Sequence, residues 1–403
     1  MGSYYDSYRI RILSTHVFYA PSYCISSSPP LPGLRSGFIN ESEYRQLAAV
    51  ESIDDFKTVL QDTDYVTALQ GIGTPKPSTI REKCLQKFVS EFDWLRANAV
   101  GQLAAFMDMI ANEFLLQNCV GMISAIIKGT PVDEVMEHAH PLGRSPYLKS
   151  MLTFDREDSL EELYRVVLID MPVAKYFSRY FEHEFKANNE LTECMRSAFS
   201  ENDTNVVSDR LRKLWLEDFY NYCCELGGET GEIMKELLEF EADRRAVEIV
   251  HNSIATRSEW NEPSHRGLRQ ELFCNFGKLY PICTGALPLS ASAVGGTSSL
   301  NFTRVDNSAA LAAAVEHHPI FAEALRVAAN SRDTSLSQAL KEAEVKLLKK
   351  AFDGQSHFAA FYAYVKLKLI ELDNINSLST MADQRGKYQG AAANIKARYI
   401  SIF

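Results

Sequence analysis

The sequence predicts an all-α protein built from three related helical units, arranged as a shell of approximate threefold symmetry. Three observations predict it. A short helix opened by a serine recurs as Ser52-Ile-Asp-Asp-Phe-Lys-Thr-Val-Leu60, Ser159-Leu-Glu-Glu-Leu-Tyr-Arg-Val-Val and Ser308-Ala-Ala-Leu-Ala-Ala-Ala-Val. Further on, each is followed by a long helix whose apolar stripe carries amide or charged groups. These read Gln117-Asn118-Cys119-Val120, Asp243-Arg244-Arg245-Ala246 and Asp373-Asn374-Ile375, which places Asn118, Arg244 and Asn374 at equivalent positions. Strand signals are sparse, with no sustained alternation bounded by Asn-Gly or Asp-Gly turns. A repeated unit that cannot bury its apolar face alone is buried by its neighbours, so the repeat decides the architecture. Such a shell holds something; it is less suited to forming a cleft for chemistry.

The elements follow in order. Residues 1–32 have no helical period, and Ser26-Ser-Ser-Pro-Pro-Leu-Pro32 predicts a divergent, poorly ordered arm. The first repeat, 33–130, starts near Gly33. Its Thr79-Ile-Arg-Glu82 has the spacing of a capping box, and Leu85, Phe88, Val89, Phe92 and Leu95 follow at helical spacing. A long helix over about Asn98 to Lys128 would span roughly 45 Å at about 1.5 Å per residue. The second repeat, 131–257, opens its short helix with Ser159-Leu-Glu-Glu162 and stops or kinks it at Pro172. Asn205 to Leu226 reads as a helix ended by Gly227-Gly228, and Gly231 to about Ile254 as the most charged long helix. The third repeat, 258–403, carries a Ser/Gly/Ala-rich inserted loop near 286–304. Ser331–Phe352 and His357 to about Leu378 form its hairpin.

Composition narrows the function classes. At 403 residues and 46% hydrophobic the chain can bury a large core. A net charge of −10 without a basic stripe argues against a nucleic-acid partner. The most apolar stretch, Ala99 to Lys128, is interrupted by Asp108, Asn112, Glu113, Gln117 and Asn118, so no direct membrane span is expected. The N-terminus lacks an apolar signal core, and Asp6 stands where a myristoylation start needs Ser or Thr. Eight scattered cysteines without a C-x-x-C fit a reducing compartment.

Enzyme signatures were tested in turn. Gly71-Ile-Gly-Thr-Pro-Lys76 is not a phosphate loop and follows no strand. His183-Glu184 lacks the second histidine of a zinc protease. His138, His140, His317 and His318 sit by helix-end or proline signals, where the dipole favours them, without a converging ligand set. Asp54-Asp55 lacks the third carboxylate of a magnesium–diphosphate cluster and complements a helix N-terminus. No cofactor, metal or catalytic residue is assigned.

The segment Leu237-Leu-Glu-Phe-Glu-Ala-Asp-Arg-Arg-Ala-Val247 carries the most information. Glu241 lies three and four residues before Arg244 and Arg245, so these can pair along a solvated face. The other reading is a charged inner wall facing a partner or another repeat. Together with Glu239, Asp243, Asn118, Lys366, Lys368 and Asn374, these residues are the candidates for partner binding.

Residues 238–246, Leu-Glu-Phe-Glu-Ala-Asp-Arg-Arg-Ala, closely resemble a motif of the subunit d family of vacuolar-type proton-translocating ATPases. Further collinear matches include Gly37-Phe-Ile, Thr63-Asp-Tyr65, His140-Pro-Leu-Gly143, Glu162-Leu-Tyr164 with Asp170, and Leu216-Glu-Asp-Phe-Tyr220. They continue with Gly277-Lys-Leu-Tyr-Pro281, Glu344-Val-Lys-Leu347, His357–Lys368 and Tyr399-Ile-Ser-Ile-Phe403. The resemblance runs from about residue 33 to the end.

The resemblance implies a funnel of three related bundles with pseudo-threefold symmetry. It further implies a non-catalytic central-stalk subunit on the cytosolic face of acidifying organelle membranes. There the proteolipid rotor ring, the central-shaft subunits of the ATP-hydrolysing head and the stator subunit of the membrane sector are its partners. The chain departs from the family at residues 1–32, at 377–393 and in the length of 286–304. Val50 and Met381 stand where many members have cysteines, which excludes a disulfide there. A helical adaptor unrelated to the pump, or an all-α enzyme, are the readings from other function classes.

Overall fold

The computed structural model describes residues 31–131, 134–136, 139–143, 145, 148, 170–184, 204–256, 266–285, 301–331, 334–354, 356–387 and 399–403. They are helical, with no strand among the described residues. Thirteen helices are named here: α1 Leu31–Ser36, α2 Glu41–Ala49, α3 Ile53–Gln61, α4 Pro77–Asn98, α5 Gly101–Lys128, α6 Ala174–Glu184 and α7 Thr204–Leu226. They continue as α8 Gly228–Thr256, α9 Arg266–Gln270, α10 Ser308–Ala314, α11 Pro319–Asn330, α12 Leu336–Asp353 and α13 Ala359–Lys387. Two compact units divide the chain: one is Met1–Asp108 with Val345–Phe403, the other Met109–Glu344.

In the first unit, α2 starts at a capping box. Asn40 accepts hydrogen bonds from the backbone N–H groups of Ser42 and Glu43, and Glu43 accepts from the Asn40 N–H. Ser52 caps α3 by accepting from Asp55 N, and Asp54 and Asp55 lie in its first turn. The α4–α13 packing is the most extensive in this unit. Phe88 meets Tyr364 there at 6.1 Å between ring centroids, and Ala359, Ala360 and Ala363 are buried along α13. Inside this unit lies an ion pair: Lys368 and Glu371, each at most 1% exposed, meet at 2.7 Å. The remaining polar capacity of the pair is satisfied. Lys368 Nζ donates to Gly37 O, while Tyr65 OH and Ile39 N donate to the two oxygens of Glu371. A buried pair completed in this way avoids the unpaired charge that makes such pairs costly.

In the second unit, α7 and α8 form a hairpin. Gly227 and Gly228 turn the chain at φ +61° and +56°, the left-handed region that glycine enters without strain. Trp215 of α7 is buried, and its indole N–H donates to Met109 O at 2.9 Å. The α5 helix is long and apolar enough to cross a membrane, although its interrupting polar residues predicted otherwise; 78% of its most apolar window is buried inside the protein.

One device occurs on each of the three longest helices among the described residues. On α5, Asn118 Nδ2 donates to His140 O and Gly143 O, and Asn118 Oδ1 accepts from His140 N at 2.9 Å. On α8, Asp243 accepts from Lys278 N at 2.8 Å and Leu279 N at 3.2 Å. On α13, Asn374 Nδ2 donates to Tyr44 OH and Ile400 O, and Asn374 Oδ1 accepts from Ile400 N at 3.0 Å. The chemistry follows the side chain: an amide can take an N–H and a C=O, whereas a carboxylate takes two N–H groups. An aromatic contact borders each clasp. Phe114 stacks on His140, Tyr220 on Phe276 and Tyr44 on Tyr399. On α8 the clasping residue is Asp243, one position before the Arg244 that the sequence pattern aligned with Asn118 and Asn374.

Several boundaries differ from the sequence expectation. The helix containing Thr79 starts two residues earlier, with Pro77 in its first turn and Lys76 as N-cap, so Thr79 caps nothing. Asn307, not Ser308, caps α10 by accepting from Ala310 N. The chain breaks at Ala99–Val100 between α4 and α5, α8 starts at Gly228, α12 starts only at Leu336, and α13 continues to Lys387. The Ser159 capping box, the Glu162–Tyr164 match, the arm before Pro30 and most of the 286–304 loop lie outside the described residues.

Glycine is required where a clasped loop approaches its helix. A Cβ on Gly143 would lie 2.5 Å from Phe114 C and O and 2.6 Å from Asn118 Nδ2, and the α5 backbone cannot yield. Gly143→Ala is therefore expected to lower unfolding free energy by about 1–3 kcal/mol. Gly267→Ala, which meets nothing within 4 Å, is expected to leave stability within about 0.5 kcal/mol. Urea denaturation of both variants checks this.

Candidate functional site

The charged segment of α8 is buried on both faces. Leu238, Ala242 and Ala246 are in the core as the stripe predicts, but Glu241, Asp243 and Arg245 are also no more than 7% exposed. For Glu241, Asp243 and Arg245 a solvated face is thereby excluded. α8 packs against α7 on one side and α10 on another, so its polar positions need internal partners.

Glu241, Arg244 and Arg245 anchor those partnerships. Arg244 donates to Glu241 at 2.6 Å and to Glu248 at 2.9 Å, and its Nε lies 3.7 Å from Glu344. Arg212, reaching across from α7, pairs with Glu113 of α5 and lies 3.5 Å from Glu241. Arg245 does not pair with Glu241 along the helix; it turns to Asp209 of α7 at 3.0 Å. Burial alone would lower the Arg244 and Arg212 pKa values, but Glu241, Glu344 and Glu248 hold Arg244 above its ordinary value, and Glu113 and Glu241 do the same for Arg212. Arg245 is held low, by burial first and then by the like charge of Arg212. The three guanidinium groups share one wall of a cleft of about 390 Å³, with Asp209 and Glu248 among the other lining residues.

The remaining candidates are elsewhere. Glu239, also on α8, accepts from Tyr220 OH at 3.2 Å and lies 3.9 Å from Lys235. Asp243 and Asn118 hold loops, as described above, and none of these three lines the cleft. Lys366, Lys368 and Asn374 belong to the first unit. Lys366 sits over the Tyr362 ring, Lys368 is in the buried pair, and Asn374 clasps the C-terminal residues 399–403. His140 is a loop residue stacked on Phe114, and His318 is the N-cap of α11. Among the described residues, no group of three or more His, Cys, Asp or Glu could hold a metal ion.

Arg212, Glu113, Asp209 and Glu344 were missed by sequence reasoning. Arg212 and Glu113 are 99 residues apart, so no local spacing pairs them. One signal was available: Glu113 lies in the apolar middle of a long helix, followed by Phe114-Leu115-Leu116, and a buried carboxylate there requires a cation.

Two outcomes follow for this network. Arg212→Ala removes the guanidinium paired with Glu113, whose side chain is 4% exposed. It is expected to cost about 3–5 kcal/mol, as for a broken buried pair. Removing Arg326, whose pair with Glu323 is on the surface, is expected to leave the urea midpoint unchanged. Asp243 titrates differently: burial pushes its carboxyl up to about 7, and the N–H bonds from Leu279 and Lys278 only partly offset this. The native state then keeps a proton that the unfolded chain releases near its ordinary value of about 4. Stability from this group is present at acid pH and lost as pH rises toward 7. Urea midpoints measured from pH 5 to 8 should fall for the native sequence relative to Asp243→Asn; parallel profiles would refute the assignment.

Residues 31–397 match the family model described as ATP synthase (C/AC39) subunit. V-type proton ATPase subunit d2 of Arabidopsis thaliana is 32% identical over 357 residues, 88% of this chain and 91% of the relative. V-type proton ATPase subunit d of Dictyostelium discoideum is 31% identical, with 93% of each chain covered. The subunit d of Saccharomyces cerevisiae is 30% identical over 85% of this chain and 88% of its own. With the family model covering residues 31–397, and relatives of this identity matching most of the chain, the chain belongs to the V-type proton ATPase subunit d family.

Proposed function

We propose that this chain, a non-catalytic subunit of a V-type proton ATPase, seats the rotating shaft of the ATP-hydrolysing head on the proteolipid ring. In that position it carries rotation from one to the other and so couples ATP hydrolysis to proton transport. It works from the cytosolic face of an acidifying organelle membrane, with the stator subunit of the membrane sector as a neighbour. The same proposal includes three related bundles, 33–130, 131–257 and 258–403, wrapped as a funnel.

The observation that supports this reading is the set of three long, uninterrupted helices. α5, α8 and α13 have 28, 29 and 29 residues, and each is tied by a polar side chain to a loop or terminus. At about 1.5 Å per residue, each spans roughly 42–44 Å. A part that transmits torque must resist bending, and a continuous helix with fixed lateral ties does so. The recurrence of the tie on three helices supports the threefold repeat. In this reading Glu241, Arg244 and Arg245 form a wall that meets a partner, and Glu239 and Lys366 are further partner contacts, each in its own unit. Asn118 and Asp243 in one unit, and Lys368 and Asn374 in the other, hold the helices of that unit in place.

Helix continuity is the property to test. Ala242, 4% exposed, lies near the middle of α8. Ala242→Pro removes a backbone hydrogen bond and clashes with the preceding turn, at a cost of about 3 kcal/mol or more. Membranes carrying this variant are expected to lose proton pumping and the assembled pump, assayed in vesicles alongside ATP hydrolysis. Pumping at the level of the native sequence would exclude α8 from the coupling structure.

A further inference from the structure

We propose that residues 399–403 are a strap that docks as an extended peptide into a groove of α1, α2, α12 and α13, and that this docking makes the first unit competent to enter the pump. The inference rests on the reading that this chain is a pump subunit. It assigns the ligand of one groove: a short Tyr-Ile-Ser-Ile-Phe segment.

The strap has no helix or sheet of its own, so its affinity comes from the side chains and the helix end that receive it. Its backbone is read at two places. Asn374 takes both polar groups of Ile400, accepting from its N–H at 3.0 Å and donating to its C=O at 2.8 Å. An amide fixed on a helix can read an extended backbone in this way, one acceptor for the N–H and one donor for the C=O. The second place is the start of α2. Asn40 accepts from the N–H groups of Ser42 and Glu43, which leaves the Glu41 N–H, and this donates to Phe403 O at 3.1 Å. The strap therefore completes the first turn of α2.

The side chains supply the sequence preference. Tyr399 stacks on Tyr44 at 4.9 Å between ring centroids, and its hydroxyl donates to Glu41 at 3.2 Å. Ile402 is fully buried, whereas Ser401 is exposed. Phe403 packs against Phe38 at 5.1 Å and Phe352 at 5.9 Å, with the cations of Arg35 and Lys349 4.9 and 5.0 Å from its ring centroid. Arg35 also donates to Asp353, so a contact between α1 and α12 forms one side of this pocket. The walls of the groove come from residues 35–44 and 349–374, one from each of the two sequence-distant portions that build the first unit. The strap touches both, and its docking closes the unit.

The test uses the full-length chain carrying Ile402→Asp, which places a charge at the fully buried strap position. This variant is expected to melt at a lower temperature and to be lost from the purified pump. A synthetic Tyr-Ile-Ser-Ile-Phe peptide added in trans at about 1 mM is expected to raise its melting temperature by about 2–4 °C, because a ligand of the folded state stabilises it. The Ile402→Asp form of the peptide should give no shift. Phe403→Ser, at a partly exposed position, is a milder variant for the same measurement where Ile402→Asp fails to fold. Ile80→Asp, a fully buried change on α4, keeps its own strap in the groove and should gain nothing from the peptide. No shift in either strap variant, an equal shift with the Ile402→Asp peptide, or the same shift in Ile80→Asp would overturn the groove assignment. Ile402→Asp chain present in the purified pump at the native level would overturn the role of docking in assembly. The two readings fail separately, since only the absence of the native-sequence chain from the purified pump refutes its place as a pump subunit.

Discussion

The buried faces of a long helix have no solvent to satisfy the polar groups that its length brings inside, and α5, α8 and α13 meet that constraint in the same way. Each places one amide or carboxylate where a returning loop presents its backbone, and the side chain completes the hydrogen bonds of that loop. The tie serves both parties. The clasped N–H groups are paired by the side chain, which would otherwise be an unpaired buried dipole. Gly143 and Gly277 keep two of the loops close enough, since a Cβ on either would strike the clasp. The third tie, to the C-terminal residues, uses stacked Tyr44 and Tyr399 and the Phe403–Phe38 contact in place of a glycine.

The ionic network of α8 applies the same constraint to charge. Carboxylates and guanidinium groups from α5, α7, α8 and α12 alternate along Glu113, Arg212, Glu241, Arg244 and Glu344, so that neighbouring charges are opposite. Such a chain adds little net stability compared with an apolar core, but it penalises any rearrangement that strips one member of its partner. It therefore specifies which helices meet, and Arg245 adds a separate pair from α8 to Asp209 of α7. The buried Lys368–Glu371 pair does for the first unit what this chain does for the second: it fixes residues 37–39 against α13.

Much of this was legible in the sequence. Helical periodicity located the long helices, Ser52 announced its cap and Gly227-Gly228 announced the turn into α8. The motif at 238–246 marked the segment that carries the central charges. What was not legible is long-range. The i,i+4 rule suggested Glu241 with Arg245, whereas the partner of Arg245 lies 36 residues earlier on α7. Local spacing encodes only neighbours on one helix face: it holds for Glu241 with Arg244, but Arg245 faces α7 and pairs there. The pattern also aligned Arg244 with Asn118 and Asn374. The clasp uses Asp243 because it is the residue facing the 277–279 loop, a fact that depends on helix rotation. The Thr79 box failed because Pro77 already supplies a residue without an N–H in the first turn.

The central claim is that loops clasped to three long helices are part of the core. Native-state hydrogen exchange of the His140, Lys278, Leu279 and Ile400 amides tests it directly. The account predicts that these four amides exchange as slowly as helical core amides and are released only by large-scale unfolding. Exchange at the rate of exposed loop amides, with α5, α8 and α13 still protected, would contradict it.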